Sequence, residues 1–498
     1  AVWSRQGRVR CRLLQVSLST SLAEILSAKG DVAEASAALG QARSAMTRSD
    51  MLASQFGARF NYEFAKVQFM AGNQTPANAA LAAAMAFQKA ASRRLFQIAL
   101  IDKLVTNGTP GITERTADLL YTNILREPTA ADWVVEPMET LSVLSHAHVA
   151  PYEHWLEIAL SRKEYEKALN IADRIRRHRF FSTLPLGGRI LALRWVLEAP
   201  DGSLNPAALL QRQNLLLKFP KYGELSRKAR EAQAALDKLP LVPEDDAAKS
   251  RQKSLLEALA KASAGQEAIL SQMALQRQAS EFVFPPLLET KEIQRALPAG
   301  TLVLVYISTS RNVHAFALSR EDYAWFKLAT PAKVKSDVIE LLKQWGHIDR
   351  NHPVGADDLL STKWKEAATQ LLAQLANNTR PEEWAKYKEL VVVPDNVLWY
   401  LPFEALQVPG DEETKDLGAT LKVRYCPTLS LVLPDKRGHK PLGRTAIFAG
   451  RLWIRDEPSV AGEVASQLLT AVDGSSILPT TLPAPSSVMA SLVQRLVV

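Results

Sequence analysis

The chain has 498 residues, of which 47% are apolar, and a formal net charge of +8. That length exceeds one domain and supplies enough apolar side chain for real cores, which tells against wholesale disorder. Two cysteines, Cys11 and Cys426, argue against a disulfide framework and for a reducing, cytoplasmic setting, and no apolar run nears the ~20 residues that span a bilayer, so no membrane partner is expected.

The first two hundred residues are helical in period and rich in Ala and Leu. Two windows fit the small and large residue spacing of tetratricopeptide repeats. One holds Leu22, Ala23, Leu26, Gly30, Ala35, Leu39 and Ala42; the other holds Phe64, Ala65, Gly72, Ala77, Leu81 and Ala84. A third, weaker window begins at Tyr165-Glu166-Lys167-Ala168-Leu169. Equivalent alanines fall at Ala35, Ala77 and Ala168, which is not a ~34-residue period, so the repeats are degenerate and a generic α-solenoid stays open. Helix connections are expected at Asn107–Gly111 and Glu127–Thr129. The basic cluster Arg174, Arg176, Arg177, His178 and Arg179 reads either as a solvated helix end or as a patch for nucleic acid or an acidic partner.

Residues 201–284 read as helical arms, one over Pro206–Leu239 and one over Glu244–Ser280, with Pro240 and Pro243 in the turn between them. Phe284-Pro285-Pro286 marks a boundary. From Leu287 the period changes. Strand-like runs at Thr301–Ser308, Asn312–Leu318, Leu390–Val393 and Thr445–Gly450 alternate with helical stretches at Ala332–Trp345, Asp357–Leu375, Val460–Ala471 and Ser486–Arg495. Such alternation implies a largely parallel, three-layer sheet over 285–498. Val391–Val393 is expected to be a central strand covered on both faces.

The most informative stretch is Leu390–Leu406: an apolar strand stopped by Pro394-Asp395, then Leu401-Pro402-Phe403-Glu404-Ala405-Leu406. Together with Tyr425-Cys426-Pro427-Thr428-Leu429-Ser430 and Ala461-Gly462-Glu463-Val464, it resembles the CHAT family, the caspase-like domain joined to tetratricopeptide repeats. The resemblance runs from about Leu287 to the C-terminus, and Thr301–Ser308 and Asn312–Leu318 look like the opening hairpin of such a domain. It implies a caspase-like three-layer sheet and a cysteine-peptidase-type family. Members expected to be peptidases carry a His-Gly pair after a later strand and a Cys after the next. Neither is present here, so the dyad is expected beyond Val498 and the chain is expected to be a fragment at both ends, whose unpaired strand edge and uncovered apolar face make it poorly soluble or self-associating.

A Cys–His peptidase needs a thiolate, a proton-carrying His and oxyanion donors. Cys426 is the only Cys of the α/β part and could pair with His439 in the following polar loop, but the resemblance puts Cys426 away from the nucleophile position. His314 reads as a packed or surface strand residue rather than a base. His347, Asp349 and His352 share a loop but lack further ligands for zinc. His146 and His148, two apart, point to different helix faces, and His154 lies in the same helical half. Gly72 and Gly187-Gly188 lack a phosphate-loop context. Asp395 is read as capping the turn after its own strand, and Glu404 as holding the following segment, with contact to a basic substrate side chain as the alternative; Glu463 is the third acid of the family pattern. No catalytic, metal or cofactor residue is assigned. Two functions follow from the resemblance: the N-terminal part of a caspase-like peptidase whose repeats bind a protein partner or peptide substrate, or a non-catalytic interaction scaffold. An RNA-linked regulator using the basic cluster is a third.

Overall fold

The computed structural model describes residues 2–204, 206–239, 245–275, 287–345, 361–409, 414–433, 445–449 and 475–479. Helices fill the chain up to Leu275, and a mixed sheet follows. The helices are α1 (Val2–Lys29), α2 (Val32–Ala45), α3 (Ser49–Leu52), α4 (Gln55–Met70), α5 (Gln74–Ala91), α6 (Arg93–Thr106), α7 (Glu114–Ile124), α8 (Ala130–Val135), α9 (Pro137–Ser145), α10 (Val149–Ser161), α11 (Tyr165–Phe181) and α12 (Arg189–Glu198). Next come α13 (Pro206–Lys218), α14 (Pro220–Leu236), α15 (Asp246–Leu275) and α16 (Thr290–Ala296). Within the α/β part stand α17 (Pro331–Gln344) and α18 (Lys363–Leu375).

The chain forms two compact units. The first joins Ala1–Glu198 to Leu270–Pro434, and the second holds Ala199–Ile269 and Asp435–Val498. In the second unit α14 and α15 share a small apolar cluster around Ala232, Leu236 and Leu259. Strands β8 (Thr445–Ala449) and β9 (Ser475–Pro479) pair in parallel. The expected arm over Pro206–Leu239 is two helices, because Pro220 has no N–H to continue α13 and instead opens α14.

Within the first unit the small-residue windows act as the spacing suggests. Ala23, Ala35, Leu39 and Ala42 pack between α1, α2 and α4, and Ala65, Ala77, Leu81 and Ala84 are buried along α4 and α5. Small side chains let these antiparallel neighbours approach. Gly30 turns α1 into α2 at φ +90°, a conformation costly for other residues. Leu22 departs from the expectation: it faces outward, 47% exposed. The breaks at 107–111 and 127–129 separate helices as expected, and Thr129 forms a capping box with Asp132 at the start of α8.

The main sheet has five strands in the order β3-β2-β1-β4-β7. These are β1 (Thr301–Ser308), β2 (Val313–Leu318), β3 (Tyr323–Lys327), β4 (Glu389–Val393) and β7 (Lys422–Tyr425); β5 (Gln407–Val408) and β6 (Lys415–Asp416) form a separate hairpin. The opening hairpin expected of Thr301–Ser308 and Asn312–Leu318 is present, while the largely parallel expectation is corrected to a mixed sheet. β1, β4 and β7 are parallel, while β1, β2 and β3 form an antiparallel meander. The reason lies in the connections: 309–312 and 319–322 are too short for anything but antiparallel neighbours.

Both faces of the central strands are covered, which explains their unbroken apolar runs. Leu302, Leu304, Tyr306, Leu390 and Val392 pack with α17 and α18 through Val338, Leu341, Leu371 and Leu375. Val303, Val305, Ile307, Val391 and Val393 pack on the other face with Leu156 of α10 and Leu169, Ile171 and Ile175 of α11. The third layer of the sheet is therefore supplied by the N-terminal helices. Sheet and helices share one core.

Candidate functional site at the strand ends

In an open α/β sheet, ligands and reacting groups sit beyond the carboxyl ends of the parallel strands. Here β1, β4 and β7 end at Ser308, Val393 and Tyr425. All three ends are met by one helix, α11, through side chains at successive i, i+3 positions: Asp173, Arg176 and Arg179.

Arg176 is buried, and its guanidinium fork donates to the carbonyls of Tyr306 on β1 and Pro394 after β4. Burial pulls its pKa down, while the Asp395 and Asp173 carboxylates hold it up. Arg179 donates to Ser308 O at 2.6 Å and to Asp395 Oδ2 at 3.1 Å, and its other contact is Glu153 Oε1 at 2.9 Å. Asp173 accepts the Leu429 N–H at 2.9 Å, just past β7. The basic cluster is thus neither a solvated helix end nor an open basic surface. Arg176 and Arg177 face inward, and Arg176 satisfies carbonyls that the ends of the strands leave unpaired.

Asp395 corrects its expected role. It caps not its own turn but the neighbouring strand: Oδ2 accepts the Ser308 N–H at 2.7 Å and makes no cap bond to the turn that follows it. Glu404 accepts from the Tyr425 hydroxyl, which in turn accepts the Phe403 N–H at 2.7 Å. This ties the Leu-Pro-Phe-Glu-Ala-Leu turn to β7, the holding role expected of Glu404.

Helix α10 holds the β1–β2 turn. Glu153 accepts the Ser310 N–H at 2.8 Å, and Glu157 accepts from Asn312 at 3.2 Å and pairs with His314 Nε2 at 3.0 Å. The His314 bond, with Asn312 and nearby charges, lowers the Glu157 pKa against the opposing effect of burial. Of the packed and surface alternatives His314 takes the packed one, on β2. His146 and His148 do not lie on two faces of one helix; they occupy the turn between α9 and α10. The His148 ring stands 4.0 Å from that of His178, and His178 Nε2 accepts the His148 backbone N–H at 3.0 Å. His154 pairs with Asp102 at 2.8 Å.

Cys426 is buried, with Sγ 3.4 Å from Arg424 Nη1 and 3.4 Å from Leu431 O. Burial pushes the thiol up, Arg424 pulls it back, and Glu389 adds to the rise. A raised, enclosed thiol is a poor nucleophile. His439, the Cys426 partner considered from sequence, lies outside the described residues, as do His347, Asp349, His352 and Glu463. Among the described residues no group of three His, Cys, Asp or Glu side chains is placed to hold a metal ion, and no helix is long and apolar enough to cross a membrane. Gly187 and Gly188 serve packing: a Cβ on Gly188, at φ +76°, would lie 2.3 Å from Phe181 Cδ1.

Asp173, Glu153 and Glu157 were not singled out by sequence. They sit on α10 and α11 among buried residues at helical spacing, and nothing local marks a carboxylate whose partner lies far along the chain. The motif also carries an exposed pair, Trp399 and Tyr400, beside a groove lined by Leu342, Pro402, Glu404 and Tyr425. Set against known proteins, the chain matches no family model and no curated protein.

Proposed function

We propose that this chain is a protein-interaction and control module of the CHAT type, in which a degenerate tetratricopeptide-like helical region clamps a caspase-like α/β domain at its strand ends. The observation that carries this reading is α11: Asp173, Arg176 and Arg179 bind the carboxyl ends of all three parallel strands. A partner that shifts α11 therefore acts directly on the edge of the sheet where such a fold does its chemistry. The resemblance of Leu390–Leu406 to the CHAT pattern supports the family, and the strand followed by two short 3₁₀ turns is compatible with it.

A peptidase reading is second. It is favoured by the common ending of β1, β4 and β7, and it needs a nucleophile other than the enclosed Cys426. Fluorogenic peptide libraries separate the two. Wild-type protein and Cys426→Ala are expected to be equally inactive. Hydrolysis by the wild-type protein, whether it survives or disappears in Cys426→Ala, would overturn the control reading in favour of an enzyme.

A further inference from the structure

Helix α1 is apolar on two opposite sides. One side, with Val16, Thr20, Ala23 and Ser27, is buried against α2 and α4. The other presents Cys11, Leu14, Leu18, Leu22 and Ile25 to solvent, with the four large residues 60%, 62%, 47% and 55% exposed. Gaps of three, four, four and three residues keep these side chains on one narrow face, the spacing of a helix–helix seam. Their exposed surface is on the order of 400 Å², a size at which an apolar patch usually has a partner.

The gaps read the same in both directions about Leu18. A second α1 laid antiparallel across the first therefore matches every position: Leu18 meets Leu18, Leu14 meets Leu22, and Cys11 meets Ile25. Such self-complementarity is what a two-fold interface requires. Charge favours the same orientation. Arg5, Arg8, Arg10 and Arg12 crowd the first half of α1, and the second half carries only Glu24 and Lys29. Parallel pairing would bring the two positively charged halves together. Antiparallel pairing sets each positively charged half beside the half that carries only Glu24 and Lys29.

We infer that the outer face of α1 is a homodimer interface, formed by antiparallel pairing of two copies centred on Leu18. The inference does not depend on the functional reading above. A seam of this size fits a weak, reversible dimer, with Kd of roughly micromolar.

Sedimentation velocity on the full chain across a concentration series tests it, together with thiol cross-linking. The expected results are a concentration-dependent dimer, its loss in Leu18→Arg with the helical circular dichroism and melting temperature unchanged, and disulfide-linked dimers in Ile25→Cys that vanish when Cys11→Ser is added. A monomer at all concentrations up to about a hundred times the expected micromolar Kd would overturn the inference. A dimer that survives Leu18→Arg would also overturn it. So would cross-linking of Ile25→Cys that persists in the Cys11→Ser background, since that is the mark of a parallel pair.

Discussion

Asp173 on α11 accepts the backbone N–H of Leu429 at 2.9 Å, across 256 residues of sequence. Beside it Arg176 and Arg179 reach the ends of β1 and β4. One helix thus closes the carboxyl edge of the parallel strands, and its apolar side forms part of the layer beneath them. Any motion of α11 relative to the sheet must break charge-assisted hydrogen bonds and expose core side chains together.

Arg176→Met is expected to destabilise the protein by about 2–4 kcal/mol, because it leaves two buried strand-end carbonyls without a donor. Arg176→Lys should recover only part of this, since a point donor cannot serve both carbonyls as the fork does. Urea denaturation of the two variants measures the difference.

Alkylation should separate the two cysteines. At low protein concentration iodoacetamide is expected to label the exposed Cys11 in the folded state and Cys426 only after unfolding, because burial both encloses the Cys426 thiol and raises its pKa. Mass spectrometry of the labelled protein reads the result, and rapid native labelling of Cys426 would contradict the geometry.

The paired imidazoles make stability depend on pH. Burial lowers the pKa of His148 to about 4 and, with the neighbouring His148, that of His178 to about 3. Both are depressed from the usual ~6.5, so the unfolded chain binds more protons in this window. Their contribution is fully present above about pH 6.5 and is lost as pH falls towards 4 and 3. Protonating His178 at Nε2 also breaks its bond with the His148 N–H. In urea midpoints measured from pH 7.5 to 4.5, His178→Phe is expected to flatten the decline relative to wild type.

Two glycines at positive φ should respond differently. Gly30 at φ +90° has open space around it, so Gly30→Ala is expected to cost about 1 kcal/mol from backbone strain alone. Gly188→Ala adds a collision with Phe181 and should cost more, about 2–4 kcal/mol. Thermal melts of both variants rank them.

The central strands were legible in the sequence because burial on both faces leaves a continuous apolar run. Thr301–Ser308 has the bounds of β1, and Val391–Val393 lies inside β4. β3 was missed because Tyr323–Lys327 is a half-buried edge strand with no such run. The arginine cluster was misread because the partners that bury it are carbonyls 130 and 218 residues away, and no local pattern records them. The same distance hid Asp173. Asp395 was found by its place after an apolar strand, but which strand it caps depends on pairing between β1 and β4.

Native-state hydrogen exchange tests the central claim, that the helical region and the sheet form one core closed by α11, most directly. The amides of Ala168–Ile175 on α11 and Val391–Val393 on β4 should open with the same free energy. Leu169→Ala, which removes a fully buried α11 side chain from the shared core, should lower both by the same amount, about 2–4 kcal/mol. Sheet amides that keep their protection while α11 opens would show that the helical region is only attached to the α/β domain, and would contradict the account.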